Sequence, residues 1–319
     1  MKAVFVFSLV AVVSVPAGAE DKSRSIIDPE KVTDDYHIQG EYNGMLGAQK
    51  FGLQVVALGN DEFSGVAYPG GLPGDGYYGF DKIEAQGRTK DGTTRLVTAL
   101  SGQAVIRDGK AEIWTDDLQQ AGVLERVERK SPTLRKKPPE GAVVLFDGST
   151  ADNFERGNIV LNNLLLADCE SRQKFGDHSL HLEFRTPYEP LDRGQQRGNS
   201  GVYLQGRYEV QILDSFGLEG ENNECGGIYS IAKPKVNACF PPLTWQTYDI
   251  DFTAARYENG EKVDNARVTV RHNGILIHRE VELPNDTPGK NPEAEGPGIL
   301  YLQGHGNQVV YRNIWVVEK

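Results

Sequence analysis

The chain has 319 residues, which at about 100–200 residues per domain accommodates two domains. Hydrophobic residues make up 39% and glycine occurs 36 times, a composition with enough apolar content for real cores, which excludes a disordered or collagen-like chain. A formal charge of −11 without a long basic tract repels phosphate backbones, so nucleic acid is not an expected partner.

At the N-terminus Lys2 precedes an apolar run from Ala3 to Val15, and Pro16-Ala17-Gly18-Ala19 supplies the small residues of a cleavage site before Glu20. Residues 1–19 therefore read as a secretory signal peptide, and the run is short for a membrane span of about 20 residues. The expected product is exported, periplasmic or extracellular, with no integral membrane segment left after cleavage. Cys169, Cys225 and Cys239 all fall in the second half. In an oxidising compartment Cys225 and Cys239 could close a loop and leave Cys169 free, while zinc-type Cys–His spacing is absent.

Residues 20–125 read as a polar arm followed by a small antiparallel β domain. Short apolar runs alternate with turns, and the Asp-Gly pairs Asp91-Gly92 and Asp108-Gly109 are hairpin signals. Pro69 to Gly76 is too rich in glycine for a regular element and reads as a loop. Arg126 to Glu140, polar, basic and ending in Pro138-Pro139, reads as an interdomain linker. From Gly141 to Lys319 the strands are clearer: Leu180, Leu182 and Phe184 alternate with His181, Glu183 and Arg185, the pattern of a strand with one apolar and one charged face. Asn273-Gly274 between Val268–Val270 and Ile275–Ile277 predicts a type I′ hairpin. No sustained 3.6-residue period occurs, so the whole is expected to be all-β, its larger part an antiparallel β-sandwich of jelly-roll type.

Tyr208-Glu209-Val210-Gln211-Ile212-Leu213-Asp214 carries the strongest chemical signal. Strand alternation sets Glu209 and Gln211 side by side on one face and Val210 and Ile212 on the other. Asp214 joins Glu209 only if the strand is bulged, and two carboxylates would then flank a glycosidic bond as acid and nucleophile or base. Arg193, Arg197 and Asn199 precede the strand Gly201–Leu204, which a hairpin would bring beside Glu209. His305, between two glycines, is open to a ligand. Glu219, Glu221 and Glu224 form an acidic loop whose spacing fits no defined calcium loop.

Val144-Leu145-Phe146-Asp147-Gly148, Lys174-Phe175-Gly176-Asp177-His178-Ser179-Leu180, Gly198-Asn199-Ser200-Gly201-Val202-Tyr203-Leu204, the Glu209 strand, Gly227-Ile228-Tyr229, Trp245-Gln246-Thr247-Tyr248, His272-Asn273-Gly274 and Leu302-Gln303-Gly304-His305-Gly306 occur in that order. Together they resemble the 3-keto-disaccharide hydrolase family, over about Gly141 to Lys319. Gln39-Gly40-Glu41-Tyr42 and Tyr68 to Gly74 resemble the β-rich domain that precedes it in some exported bacterial members.

The resemblance implies a concanavalin-like jelly roll that acts on glycosides oxidised to a ketone at C3. The ketone acidifies the C2 hydrogen, a base removes it, the aglycone leaves from C1, and water adds to the enone. In that scheme Glu209 or His305 transfers protons, Gln211 and Asn199 bond sugar oxygens, and Arg193 or Arg197 stabilises the enolate. A divalent metal ion held by Glu209 and His305 is the alternative way to polarise the C2 and C3 oxygens. Glu209, Gln211 and Asp214 also resemble a Glu-x-Asp-x-x-Glu signature of retaining glycosidases, with the middle acid replaced by an amide and the last shortened. A carbohydrate-binding module without turnover is a further reading, in which Tyr203, Tyr229 and Trp245 stack on sugar rings. So is an envelope-docking role for the N-terminal domain.

Overall fold

Eight strands between Gly40 and Val127 each pair with their sequence neighbour, and the first also pairs with the last. They are β1 (Gly40–Leu46), β2 (Gln49–Gly59), β3 (Glu62–Pro69), β4 (Ile83–Lys90), β5 (Thr93–Thr98), β6 (Gln103–Arg107), β7 (Lys110–Trp114) and β8 (Gln120–Val127). Every pairing is antiparallel, so the ring is an up-and-down barrel. In the computed structural model, residues 25–319 other than Tyr78 and Phe80 are described; the expected signal peptide lies outside them. Period-2 alternation explains the barrel interior: Leu53, Val55 and Ala57 of β2 meet Phe63, Leu96, Ile106 and Leu124 in one buried cluster. The two Asp-Gly turns form as expected, with Asp91 and Asp108 at φ 51° and their glycines at 71° and 72°. The loop after β3 departs from a featureless turn cluster, because Leu72–Pro73 and Gly76–Tyr77 pair with each other and Leu72 is fully buried.

Beside a small ribbon of Arg256–Glu258 with Glu261–Asp264, thirteen further strands build two large sheets. In chain order they are β9 (Val143–Phe146), β10 (Phe154–Glu155), β11 (Ile159–Val160), β12 (Leu164–Leu166), β13 (Cys169–Phe175), β14 (His178–Arg185), β15 (Ser200–Leu204), β16 (Tyr208–Ile212), β17 (Gln246–Thr253), β18 (Ala266–His272), β19 (Ile275–Leu283), β20 (Gly298–Leu302) and β21 (Val310–Glu318). The larger sheet runs β11-β12-β21-β14-β17-β18-β19 with β9 also on β21, and the smaller runs β10-β13-β20-β15-β16. Leu180, Leu182 and Phe184 from one sheet and Val202, Leu204, Val210 and Ile212 from the other share a single core, which makes this a β-sandwich. Asn273 (φ 51°) and Gly274 (φ 79°) make the expected turn between β18 and β19.

The strand expected to have one solvated face, β14, is instead covered on both sides. His181 and Glu183 are fully buried, because residues 131–136, beyond the barrel, lie across this face of the sheet. Thr133 Oγ1 donates to Asp249 Oδ2 at 2.6 Å, the Arg135 amide donates to Glu183, and Trp315 Nε1 donates to the Lys136 carbonyl at 3.3 Å. The connecting segment is therefore packed rather than swinging in solvent. Cys225 and Cys239 are buried thiols and neither is in a disulfide; Cys225 Sγ lies 3.3 Å from the Tyr248 hydroxyl and Cys239 Sγ 3.4 Å from the Phe240 carbonyl. None of the helices among the described residues is long and apolar enough to cross a membrane.

Candidate active site

The hairpin of β15 and β16 forms the edge of the smaller sheet, and its register sets Tyr203 opposite Glu209 and Gly201 opposite Gln211. Val202, Val210 and Ile212 point the other way into the core, so the alternation read from the sequence places all four site residues on the outer face. Gly201 leaves room for the acid: a Cβ there would come 2.1 Å from Glu209 Oε1. Glu209 is buried and is held from both sides. The Tyr203 hydroxyl lies 2.8 Å from Oε2 and 2.8 Å from the Pro288 carbonyl. The Gln211 amide finds acceptors when its nitrogen faces Glu209 Oε1 and the Ser200 carbonyl, each at 2.8 Å, so it donates to both.

Burial disfavours the charged carboxylate and pushes the Glu209 pKa up to about 7, against the pull of the Tyr203 hydrogen bond. Burial, then the negative charge of Glu209, pushes the Tyr203 phenol well above its ordinary value, so it is a neutral donor. Its single proton can serve Glu209 when that group is ionised and turn to the Pro288 carbonyl when it is not, while Gln303 Nε2 donates to the phenol oxygen at 3.2 Å.

These groups open on a cleft of about 190 Å³, which Gln195, Asn199, Tyr229 and His305 also line. Asn199 donates through Nδ2 to the Gln195 carbonyl at 2.8 Å, which fixes its amide and leaves Oδ1 buried without a partner. Gln303 Oε1 is likewise unpaired. Two acceptors without donors in one cleft suit the hydroxyl groups of a sugar, since an unmet buried acceptor costs roughly 1–3 kcal/mol. His305 is exposed at the mouth between Gly304 and Gly306. Among the described residues no lysine or arginine lines the cleft.

The structure thus brings together Glu209, Gln211, Asn199, Tyr203 and His305. It sets four other expected residues elsewhere. β16 stays in regular register to Ile212, so no bulge turns Asp214 towards Glu209; Asp214 pairs instead with Arg197, Nε to Oδ2 at 2.6 Å. Arg193 and Arg197 extend to the barrel. Trp245 lies between the guanidinium groups of Arg312 and Arg185, 3.8 and 5.0 Å from its ring, beside a separate cavity of about 300 Å³. Gln195 and Gln303 were not singled out from the sequence as site residues. Gln303 stood inside a motif already noted beside His305, whereas Gln195 sits in an aperiodic loop that gives no signal.

A divalent ion does not fit this donor set. Glu209 and His305 share the cleft, but both Glu209 oxygens already accept hydrogen bonds, and no third acidic, histidine or cysteine ligand joins them among the described residues. The acidic loop makes its own bonds, with Glu224 Oε2 accepting from the Gly220 and Glu221 amides at 2.6 and 3.1 Å.

Residues 141–317 match the model of the 3-keto-alpha-glucoside-1,2-lyase-like domain. The chain belongs to that family. A crystal structure of a "putative glycosyl hydrolase" from Parabacteroides distasonis ATCC 8503 is similar over 57% of this chain and 85% of its own, with 31% identity and a TM-score of 0.53. Two further structures from that organism under the same description share 16% and 20% identity over 56% of this chain, with TM-scores of 0.39 and 0.40, and are covered over 94% and 99% of their length. No match was found among curated proteins. The family and the 31% identical structure agree on cleavage chemistry directed at sugars. The matched residues contain the whole Glu209 cleft and none of the barrel.

Proposed function

We propose that the chain is an exported enzyme that cleaves glycosides bearing a ketone at sugar C3. The observation that carries this reading is Glu209: a buried carboxyl titrating near neutrality, gripped by Tyr203 and Gln211, in the cleft of a domain of this family. As a carboxylate it removes the C2 proton. The electron pair forms the C1–C2 double bond as the C1–O bond breaks, and His305 at the mouth gives a proton to the departing oxygen. Water then adds its hydroxyl to C1 of the enone while its other proton returns to His305, and Glu209 gives its proton back to C2, so both groups are restored and the sum is hydrolysis. Asn199 Oδ1 and Gln303 Oε1 accept from ring hydroxyls, and apart from Glu209 and His305 the described lining is uncharged, which suits a neutral sugar. The arginines are turned away, so the amides of Gln195 and Gln303 are the donors available to the enolate oxygen. The apolar run at Ala3–Val15 and the small residues before Glu20 support export to the periplasm or beyond.

The test is incubation with a 3-keto disaccharide and with its unoxidised parent in D₂O, followed by NMR. Cleavage of the keto substrate alone, with deuterium at C2, is expected, and Glu209→Gln should lower turnover about 10²–10⁴-fold while binding persists in calorimetry. Cleavage of the parent without exchange would instead indicate direct displacement, and binding without turnover a carbohydrate-binding module.

A further inference from the structure

The loop between β14 and β15 faces two ways. Gln195 and Asn199 line the cleft, while Arg193 and Arg197, interleaved with them, reach the barrel. Arg193 donates through one terminal nitrogen to the Leu58 carbonyl of β2 at 2.9 Å. Through the other it donates to the Pro190 and Asp192 carbonyls at 2.6 and 2.8 Å, bracing its own turn. Arg197 donates to the Ala57 carbonyl at 3.1 Å while its Nε holds Asp214. Leu191 lies against Gly59, where an added Cβ would come 2.5 Å from Leu191 Cδ2. Three consecutive residues of one barrel strand therefore seat this loop, and Ala57 is itself fixed by an amide bond to Gln39 Oε1 at 3.1 Å.

On the other side the loop leads directly to the acid. Gln195 donates to the Asn223 carbonyl at 2.7 Å and its Oε1 accepts from Asn199 Nδ2 at 3.1 Å, while Gln211, which donates to Glu209, packs 3.1 Å from that same oxygen. The loop's own regular structure is one three-residue turn, Gly194–Gln196, too little to hold two side chains at a reacting sugar. Bonds to a closed barrel supply the missing rigidity, because a strand paired on both sides moves little.

We infer that the barrel is the positioning body of the cleft: β2, through Arg193 and Arg197, sets the loop that presents Asn199 to the sugar and Gln195 to Gln211. Both arginines are positioning residues, acting through others and touching no substrate. This rests on the cleft being the site of sugar cleavage, and the experiment separates the two claims.

Arg193→Ala is the informative variant, since Arg193 is exposed and its loss strands no buried charge, whereas losing Arg197 would strand Asp214. In the full chain, KM for the 3-keto disaccharide should rise about tenfold, the equivalent of one charged hydrogen bond, with kcat within about twofold and the Tm within about 2 °C. Arg193→Lys, whose ammonium can keep one of the three carbonyl bonds, should fall between the two. A merely structural role would lower the Tm without moving KM. With Glu209→Gln inactive, an unchanged KM in Arg193→Ala overturns the positioning role alone. Full turnover in Glu209→Gln overturns the reading of the cleft and the positioning role with it.

Discussion

Glu209 is expensive to keep charged, and that is what makes it useful. Its pKa of about 7 against an ordinary 4.5 means that the folded protein resists ionisation there, so this group's contribution to stability is lost as pH rises through 7. Glu209→Gln should therefore be more stable than the natural protein at pH 8, by up to roughly 3 kcal/mol, with the gap closing as pH falls towards 4.5; paired thermal melts at the two pH values measure it. The same titration sets activity: kcat/KM for a base-catalysed step should rise with pH and level off above about 7. Tyr203→Phe removes a donor that favours the carboxylate, so the rising limb of that profile should move to higher pH. The Glu209–Gln211 pair was legible in the sequence because period 2 is local, and the hairpin needed only the adjacent strand. Asp214 was not, because spacing along a chain does not say where a strand stops. It lies past Ile212, and its fate was decided by an arginine 17 positions back.

At the scale of elements, the charged face of β14 and the segment 131–136 form one unit. His181 donates through Nδ1 to Asp249 Oδ1 (2.9 Å), faces Glu183 at 3.8 Å and Asn313 at 3.3 Å from Nε2, and stacks on Trp315. Burial by itself would lower the His181 pKa, but the bonds to Asp249 and Glu183 outweigh it and the net shift is upward. For Glu183 burial works upward, yet bonds from His181, Asn313, Arg312 and the Arg135 amide hold its pKa at about 2. A histidine raised in the fold contributes stability that is complete below 6.5 and is lost as pH rises through its folded value. Amide exchange over 131–136 should consequently accelerate, beyond the intrinsic rate increase, as pH rises above 6.5 and through the raised His181 value, and His181→Asn should abolish that excess. Alternation revealed β14 itself, but the polar side of a strand looks the same in sequence whether water or a distant segment of chain covers it. That covering depends on pairs such as Thr133 with Asp249, separated by more than a hundred residues.

For the whole molecule, the contact between barrel and sandwich matters as much as either part. Gly217 (φ 80°) sits against Val56 of β2, where an added Cβ would come 2.7 Å from Val56 Cγ2. Gly217→Ala combines an unfavourable backbone with that collision and should cost about 1–3 kcal/mol, read as a Tm lowered by several degrees in calorimetry. The sandwich was recognisable from ordered motifs and the N-terminal part as a small antiparallel β domain from its hairpin turns, but its closure into a barrel was not, and the docking of the two uses carbonyl groups of Ala57 and Leu58, which every residue possesses and no sequence pattern announces.

The place of β21 has its own consequence. This final strand lies inside the larger sheet, bonded to β9, β12 and β14, so residues separated by most of the domain wait for the last nine of the chain before they can pair. In the barrel each strand follows its partner at once and only the closing pair of β1 with β8 spans the domain, an arrangement rich in short-range contacts that favours rapid assembly. During synthesis the N-terminal half can thus be finished while the other half remains open. A chain cut short near Val310 would present a completed barrel joined to a sheet with exposed edges, a template for aggregation and a ready target for proteases. The sandwich is sealed only when β21 is in place, which makes that strand a checkpoint for its assembly.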